Sequence, residues 1–235
     1  MREIDVSIAS LYRNAHVVKT IKSIIHSPEI NKIYLVCNSY TDAQYIEVYK
    51  ALCEYPNIVL VRRDNQKGCS EKFLPFRTSE APYLSNLDDD LIYPSNFFKH
   101  MLQKAQELNA IVSIHGRINI PGKAKSYYRD LLIAYRSLRK VDDDMPVEVI
   151  ATCGTVFKKS LMPGIEKLYD AVTHSNMSDI YFSKLANDNG IKMYVVAHAE
   201  DWIKHKVKEK GDNYIFTEYA DNCEPQTKYF NKHFR

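Results

Sequence analysis

Ala81-Pro82-Tyr83-Leu84-Ser85-Asn86-Leu87-Asp88-Asp89-Asp90-Leu91-Ile92-Tyr93-Pro94 is the stretch on which the reading of this chain turns. An apolar, strand-like approach runs into three consecutive carboxylates, and a Tyr-Pro turn follows. Side chains alternate across a strand. An extended backbone would therefore aim Asp88 and Asp90 one way and Asp89 the other. Two carboxylates on one side of a strand end offer hard oxygen ligands to a divalent cation, which can in turn grip phosphate oxygens. Tyr83, Leu84 and Leu87 read as buried, and charge beside a buried strand calls for a partner. Asp142-Asp143-Asp144 is the internal control. It follows a basic stretch, Arg136 to Lys140, with no apolar strand leading in, and reads as a solvated loop.

Working outward, Ile4 to Ser10 reads as a short buried strand. A helix with apolar positions Val17, Val18, Ile21, Ile24 and Ile25 follows, with Asn14 as its N-cap. Lys32 to Asn38 is a second strand. Thr41-x-x-Gln44 is a capping box opening a second helix, and Asn57 to Arg63 is a third strand. Strand and helix alternating at these spacings predict a doubly wound α/β half. Ligands of such sheets sit outside the carboxyl ends of the strands. Those ends are Ser10 to Arg13, Asn38 to Thr41, Arg62 to Gly68 and the Asp88 triplet. Asp64 to Thr78 reads as a polar loop in which Lys72 and Arg77 either reach phosphate oxygens or decorate the surface. It lacks the Gly-x-x-x-x-Gly-Lys of a P-loop.

Beyond the triplet, Ser95 is the expected cap of a helix burying Phe97, Phe98, Met101, Leu102, Ala105 and Leu108. Ala110 to His115 is another strand. In Pro121 to Lys140, basic residues interleave with Tyr127, Tyr128, Leu131, Leu132 and Tyr135 at helical spacing. This predicts an amphipathic helix with a basic face, or a contact surface for an anionic acceptor, lipid headgroup or domain. Val147 to Phe157 reads as one or two strands interrupted at Thr152-Cys153-Gly154-Thr155. There Gly154 permits close approach of a ligand or simply a bulge. Ser178-Asp179 opens a helix ending near Gly190, and Asp179 in its first turn is kept ionised by the helix dipole. Lys192 to Ala197 is a last strand, ending at His198. From Glu200 onward the chain is polar and aromatic, with Trp202, His205, Tyr214, Phe216, Tyr219, Tyr229 and Phe230, and has no assigned fold.

With 235 residues the chain fits one domain. Its net charge of +3 is too small to argue for nucleic acid. Five scattered cysteines without metal-like spacing suggest reduced thiols and a cytoplasmic location. No apolar run approaches the ~20 residues that span a bilayer.

Four pieces, in order, resemble the GT-A fold glycosyltransferases, especially the family 2-like inverting enzymes. They are Val6 to Ser10 with its helix, Asn65 to Lys72 leading to Asn86–Pro94, Gly154 to Lys159, and Ser178-Asp179. The second is similar to the Asp-x-Asp motif of that family with its trailing proline. The resemblance implies a single GT-A-type (Rossmann-like) α/β domain over residues 1–200, with a mostly parallel central sheet flanked by helices. Residues 1–94 would be the nucleotide-binding half, 95–200 the acceptor-side half, and 201–235 a polar-aromatic extension. It implies Mn²⁺ or Mg²⁺ on Asp88 and Asp90 with His198 as a further ligand. Ser10, Tyr12, Asn38 and Asp64 would hold base and ribose. Lys72, Asp89 and Gly154 complete the substrate contacts, and Asp179 is the general base. The partners implied are a nucleotide-sugar donor, UDP by default, and a glycan acceptor. No transmembrane segment is expected, peripheral membrane contact is left open, and so is a place as one module of a larger protein. Two departures stand out: Cys37-Asn38 replaces an acidic pair common after the second strand, and the catalytic helix begins Ser-Asp rather than Glu-Asp. Three rivals are weighed. A sugar-nucleotide pyrophosphorylase would want glycines in Ser10-Leu11-Tyr12-Arg13. A carbohydrate-binding or scaffolding domain would carry a vestigial site, and a retaining transferase would share the fold.

Overall fold

The computed structural model describes residues 2–205 and 222–235. Strand β1 (Ile4–Leu11) is its axis, buried along nearly its whole length. β2 (Ile30–Asn38) pairs with it in parallel on one side, and β3 (Ile58–Arg63) extends that edge. β4 (Tyr83–Leu87), every residue of it buried, pairs in parallel on the other side. Helices α1 (Asn14–Ile24) and α2 (Asp42–Leu52) make the crossovers. The Thr41–Gln44 capping box forms as expected. Asn14 does not cap α1. The helix begins on it, and its side chain instead donates to Glu47 Oε2 at 2.6 Å.

Past β4 the sheet turns mixed. β11 (Gly154–Lys158) runs antiparallel between β4 and β6 (Ile111–Ser113). β12 (Met193–Val195) is parallel to β6, and β9 (Met145–Pro146) closes the far edge antiparallel. Among the described residues the order is β3-β2-β1-β4-β11-β6-β12-β9. α3 (Phe97–Leu108) buries Phe97, Phe98, Met101 and Ala105, and starts one residue later than a Ser95 cap would place it. The short α4 (Leu168–Ala171) precedes α5 (Ser178–Asp188). α5 ends as Gly190 signals: Gly190 N–H donates to Asn187 O and Ile191 N–H to Ala186 O, both at 2.9 Å.

Two expectations fail here. Asp64 to Thr78 is not a solvated loop: Gly68–Arg77 coils into 3-10 turns that bury Glu71, Lys72, Phe73 and Phe76. Pro121 to Lys140 is not a helix. It holds a loop and then β8 (Leu131–Tyr135), paired antiparallel with β7 (Gly116–Asn119), which pairs in turn with β10 (Val149–Ile150). Both periodicities fit the apolar positions. The contiguous run Leu131 to Tyr135 takes the strand because β7 supplies a backbone partner, and Asp130 caps the loop by accepting from Lys125 and Ser126 N–H.

Two apolar clusters form the core. One gathers Val6, Ile8, Val17, Ile21, Leu35, Phe97 and Met101. The other gathers Phe73, Phe76, Leu84, Phe157, Phe182 and Phe230. Phe230 comes from α6 (Glu224–Phe234), which docks on the loop before β8: Asn231 exchanges two 2.8 Å hydrogen bonds with the backbone of Ala124. Tyr214, Phe216 and Tyr219 lie outside the described residues. No helix among the described residues is long and apolar enough to cross a membrane.

Candidate active site

The parallel strands β1 to β4 bring their carboxyl ends to one rim, where side chains interlock. Tyr40 Oη donates to Ser10 Oγ at 2.8 Å, and Ser10 donates to Asp89 Oδ2 at 2.6 Å. Arg62 donates to Tyr40 O, and Asn38 Nδ2 to Gly68 O. Four loops, far apart in sequence, thus hold one another.

The triplet itself departs from strand alternation. β4 stops at Leu87 and the backbone turns, so Asp89 and Asp90 both reach Arg13 Nη1, at 3.1 and 3.2 Å. Asp88 goes elsewhere and accepts from Lys72 Nζ at 2.8 Å. Lys72 is 2% exposed, which removes the surface-charge reading. Burial works against its charge, yet Asp88 beside it holds its pKa above the ordinary value. Burial pushes the Asp89 carboxyl up, against the pull of Arg13 and Ser10.

Lys72 also donates to the carbonyl of Thr152 at 3.0 Å. Thr152 thereby links Lys72 to Asp179, because its N–H and Oγ1 both donate to Asp179 Oδ1, at 2.9 and 2.8 Å. Both bonds fall on Oδ1, so Oδ2 takes no protein donor among the described residues. Ser178 Oγ lies 3.0 Å from Thr152 Oγ1 and 3.1 Å from Cys69 Sγ. Tyr93 braces the same junction: its hydroxyl donates to Cys153 O at 2.8 Å and accepts from Asp88 N–H at 3.3 Å. Asp88, Lys72, Thr152 and Asp179 line one cavity of about 510 Å³, with His115 and Arg117 on its other walls. Burial, with Arg117 adding to it, pushes the His115 imidazole down to about 4, so it is neutral near pH 7.

The other expected residues fall as follows. Tyr12 has a positive φ of 58° and is 56% exposed at the rim. Asp64 is exposed and accepts from Gln66. Asn38 is buried, with Oδ1 lacking a partner. At Gly154 a Cβ would sit 2.8 Å from Ile114, so the close approach that the glycine permits here is core packing. His198 does not join the triplet in a metal cluster. Its Nδ1 lies 2.7 Å from Val196 O and its ring packs on Trp202. Among the described residues no three His, Cys, Asp or Glu side chains gather as a metal site. Instead β13 (Lys204–His205) pairs with β5 (Leu91–Ile92), directly after the triplet. In the second triplet Asp142 and Asp143 are exposed, but Asp144 is stapled to Lys104 at 3.0 Å and to Ala197 N–H at 2.9 Å. Sequence reasoning passed over Arg13, Tyr93 and Thr152. Arg13 stood at the rim and could have been found as a counter-charge. Thr152 and Tyr93 act through tertiary contacts that leave no local signal.

A sheet whose parallel half ends in this carboxylate turn, with an antiparallel strand leading to an aspartate that opens a helix, defines a GT-A-type domain. The sequence profile of glycosyl transferase family 2 matches residues 6–164, and the chain belongs to that family. Comparison with curated protein sequences finds no match. Among solved structures, the crystal structure of S. aureus TarS 1-349 is similar with a TM-score of 0.53 at 12% identity. The likeness covers 84% of this chain and 59% of that one, and shows a shared fold.

Proposed function

We propose that the chain transfers a sugar from a nucleotide diphosphate sugar, UDP by default, to a hydroxyl of a glycan acceptor, with inversion at the anomeric carbon. The observation that carries this is the single cavity in which Asp88 and Asp179 are fixed by one residue, Thr152, through Lys72 on one side and directly on the other. Asp179 Oδ2 accepts the proton of the acceptor hydroxyl. The freed oxygen forms the new bond to the anomeric carbon as the bond to the diphosphate breaks, and the diphosphate leaves with that electron pair. Thr152 orients the base, which is worth about 10²–10⁴-fold for a well-placed group. The buried Lys72 ammonium supports charge building on the leaving group.

A divalent cation fits the chemistry of the donor set. Asp88 and Asp90 supply only hard oxygens, and Mg²⁺ or Mn²⁺ is commonly held by one or two carboxylates completed by substrate phosphates. When bound, the ion neutralises developing charge on the diphosphate. His198 is left out of this set. The free cysteines fit a reducing, cytoplasmic setting. One observation favours the non-catalytic rival: Lys72 and Arg13 already satisfy all three carboxylates.

A thermal-shift panel of nucleotide sugars with Mn²⁺ or EDTA tests the reading. Stabilisation by UDP-sugars only with Mn²⁺ is expected. Equal shifts in EDTA would remove the metal, and no shift with any nucleotide sugar would leave the rival standing. Asp179→Asn is expected to keep the melting temperature and donor shift while turnover falls by about 10²-fold or more; turnover at the wild-type rate would take Asp179 out of the mechanism.

A further inference from the structure

The wall of the cavity facing Asp179 carries a charge surplus that the donor chemistry does not use. Arg117 in β7 pairs with Ala134 of β8. Arg136 follows β8 two residues beyond Ala134, so alternation puts both arginines on the same face of the hairpin. Both line the cavity. Neither guanidinium pairs with a carboxylate among the described residues. Arg117 instead lies over the ring of Tyr127 at 3.8 Å and near that of Tyr128 at 5.5 Å. A stacked guanidinium keeps its in-plane N–H groups for a bidentate anion.

The cavity's carboxylates cover only part of this charge: Asp88 pairs with Lys72, which leaves Asp179, held by the neutral Thr152, against two arginines. The cationic side chains Lys72, Arg117 and Arg136 outnumber Asp88 and Asp179, and the neighbouring imidazole of His115 stays uncharged. A second, independent observation points to a ligand with hydroxyls. Gln226, reaching in from α6, is 2% exposed and lines the cavity, and its Oε1 has no hydrogen-bond partner. Buried polar atoms are rarely left so. At about 510 Å³ the space suits a small saccharide unit.

We propose that the acceptor is an anionic saccharide. Arg117 and Arg136 receive its phosphate or carboxylate, Tyr127 and Tyr128 form the wall beside it, and Gln226 accepts from one of its hydroxyls. This rests on the glycosyl-transfer reading above for the role of Asp179.

The test is calorimetric binding of glucose 6-phosphate, glucuronate and glucose to the full chain and to the Arg117→Met/Arg136→Met double variant, with UDP plus Mn²⁺ titrated alongside. Wild-type protein is expected to prefer a charged probe over glucose by about tenfold or more, and the preference should shrink with added salt. Glucose 6-phosphate ahead of glucuronate identifies phosphate, and the reverse order a carboxylate. The double variant should lose the preference while UDP affinity stays within about twofold. Equal binding of all three probes, no binding by any, or a preference that survives in the variant overturns the proposal. So does a matching loss of UDP affinity, which would put the arginines on the leaving diphosphate. UDP failing to bind wild-type protein sinks the donor reading alone, since the probe comparison still decides the anion site. Arg136→Met, at an exposed position, repeats the measurement if loss of the Arg117 stack unfolds the double variant.

Discussion

At the scale of single residues, each carboxylate of the site has an assigned neighbour. Asp88 has Lys72, Asp89 and Asp90 share Arg13, and Asp179 has Thr152. His115 carries no charge near pH 7, its imidazole kept neutral by burial and by nearby arginines, with its pKa at about 4. The sign of its pH effect follows. Near pH 7 it is neutral folded and largely neutral unfolded. As pH falls from about 6.5 toward 4 the unfolded chain takes up a proton that the native state refuses, so stability falls through that window. Urea midpoints measured across it should decline in wild-type protein and decline less in His115→Gln. Equal slopes would show that carboxylates elsewhere dominate. The residue scale is also where the sequence was hardest to read. Alternation was the right rule for β4, but the strand ended at Leu87, one residue before the triplet to which the rule was applied. Gly154 looked like a ligand contact because a glycine's missing side chain does not say what fills the space, and here Ile114 does.

At the scale of elements, the Gly68–Arg77 turns tie the halves together. Gly68 has a φ of +57°, and a Cβ there would sit 2.1 Å from Asn176 Oδ1, the atom that accepts from Cys69 N–H. Gly68 O receives Asn38 from the other side. Gly68→Ala is therefore expected to cost on the order of 2 kcal/mol or more in stability and to lower activity. Gly122, with a φ of +79° and nothing near its would-be Cβ, is the control. Gly122→Ala carries only the backbone strain, so a similar loss in both variants by urea titration would mean that the Asn176 contact is unimportant. The N-terminal elements were legible because caps, strand lengths and spacings all pointed the same way, as at Thr41–Gln44. The β7–β8 hairpin was not. Its apolar positions satisfy two periods, and what decides between them is the pairing with β7, which no spacing within the stretch reveals.

At the scale of the whole molecule, α6 completes the second apolar cluster. Phe230 is fully buried against Tyr127, 5.6 Å between ring centres, and Arg235 pairs with Glu148. Phe230→Ala should lower unfolding free energy by about 3–5 kcal/mol in denaturant titrations. A loss below about 1 kcal/mol would make α6 a loosely attached flap rather than a core element. Nothing local in Glu224 to Phe234 announces this docking, since its partners, Ala124 and Tyr127, are distant in sequence.

The brace at Thr152 and Cys153 has a further consequence. Lys72 and Tyr93 hold it by main-chain carbonyls, which every amino acid possesses. A substitution at Cys153 that still fits its buried position keeps both of these bonds. On the reading proposed above, retargeting the domain to a new acceptor calls for grafting residues 116–136 together with α6, which packs on Ala124 and Tyr127 and brings Gln226 to the cavity.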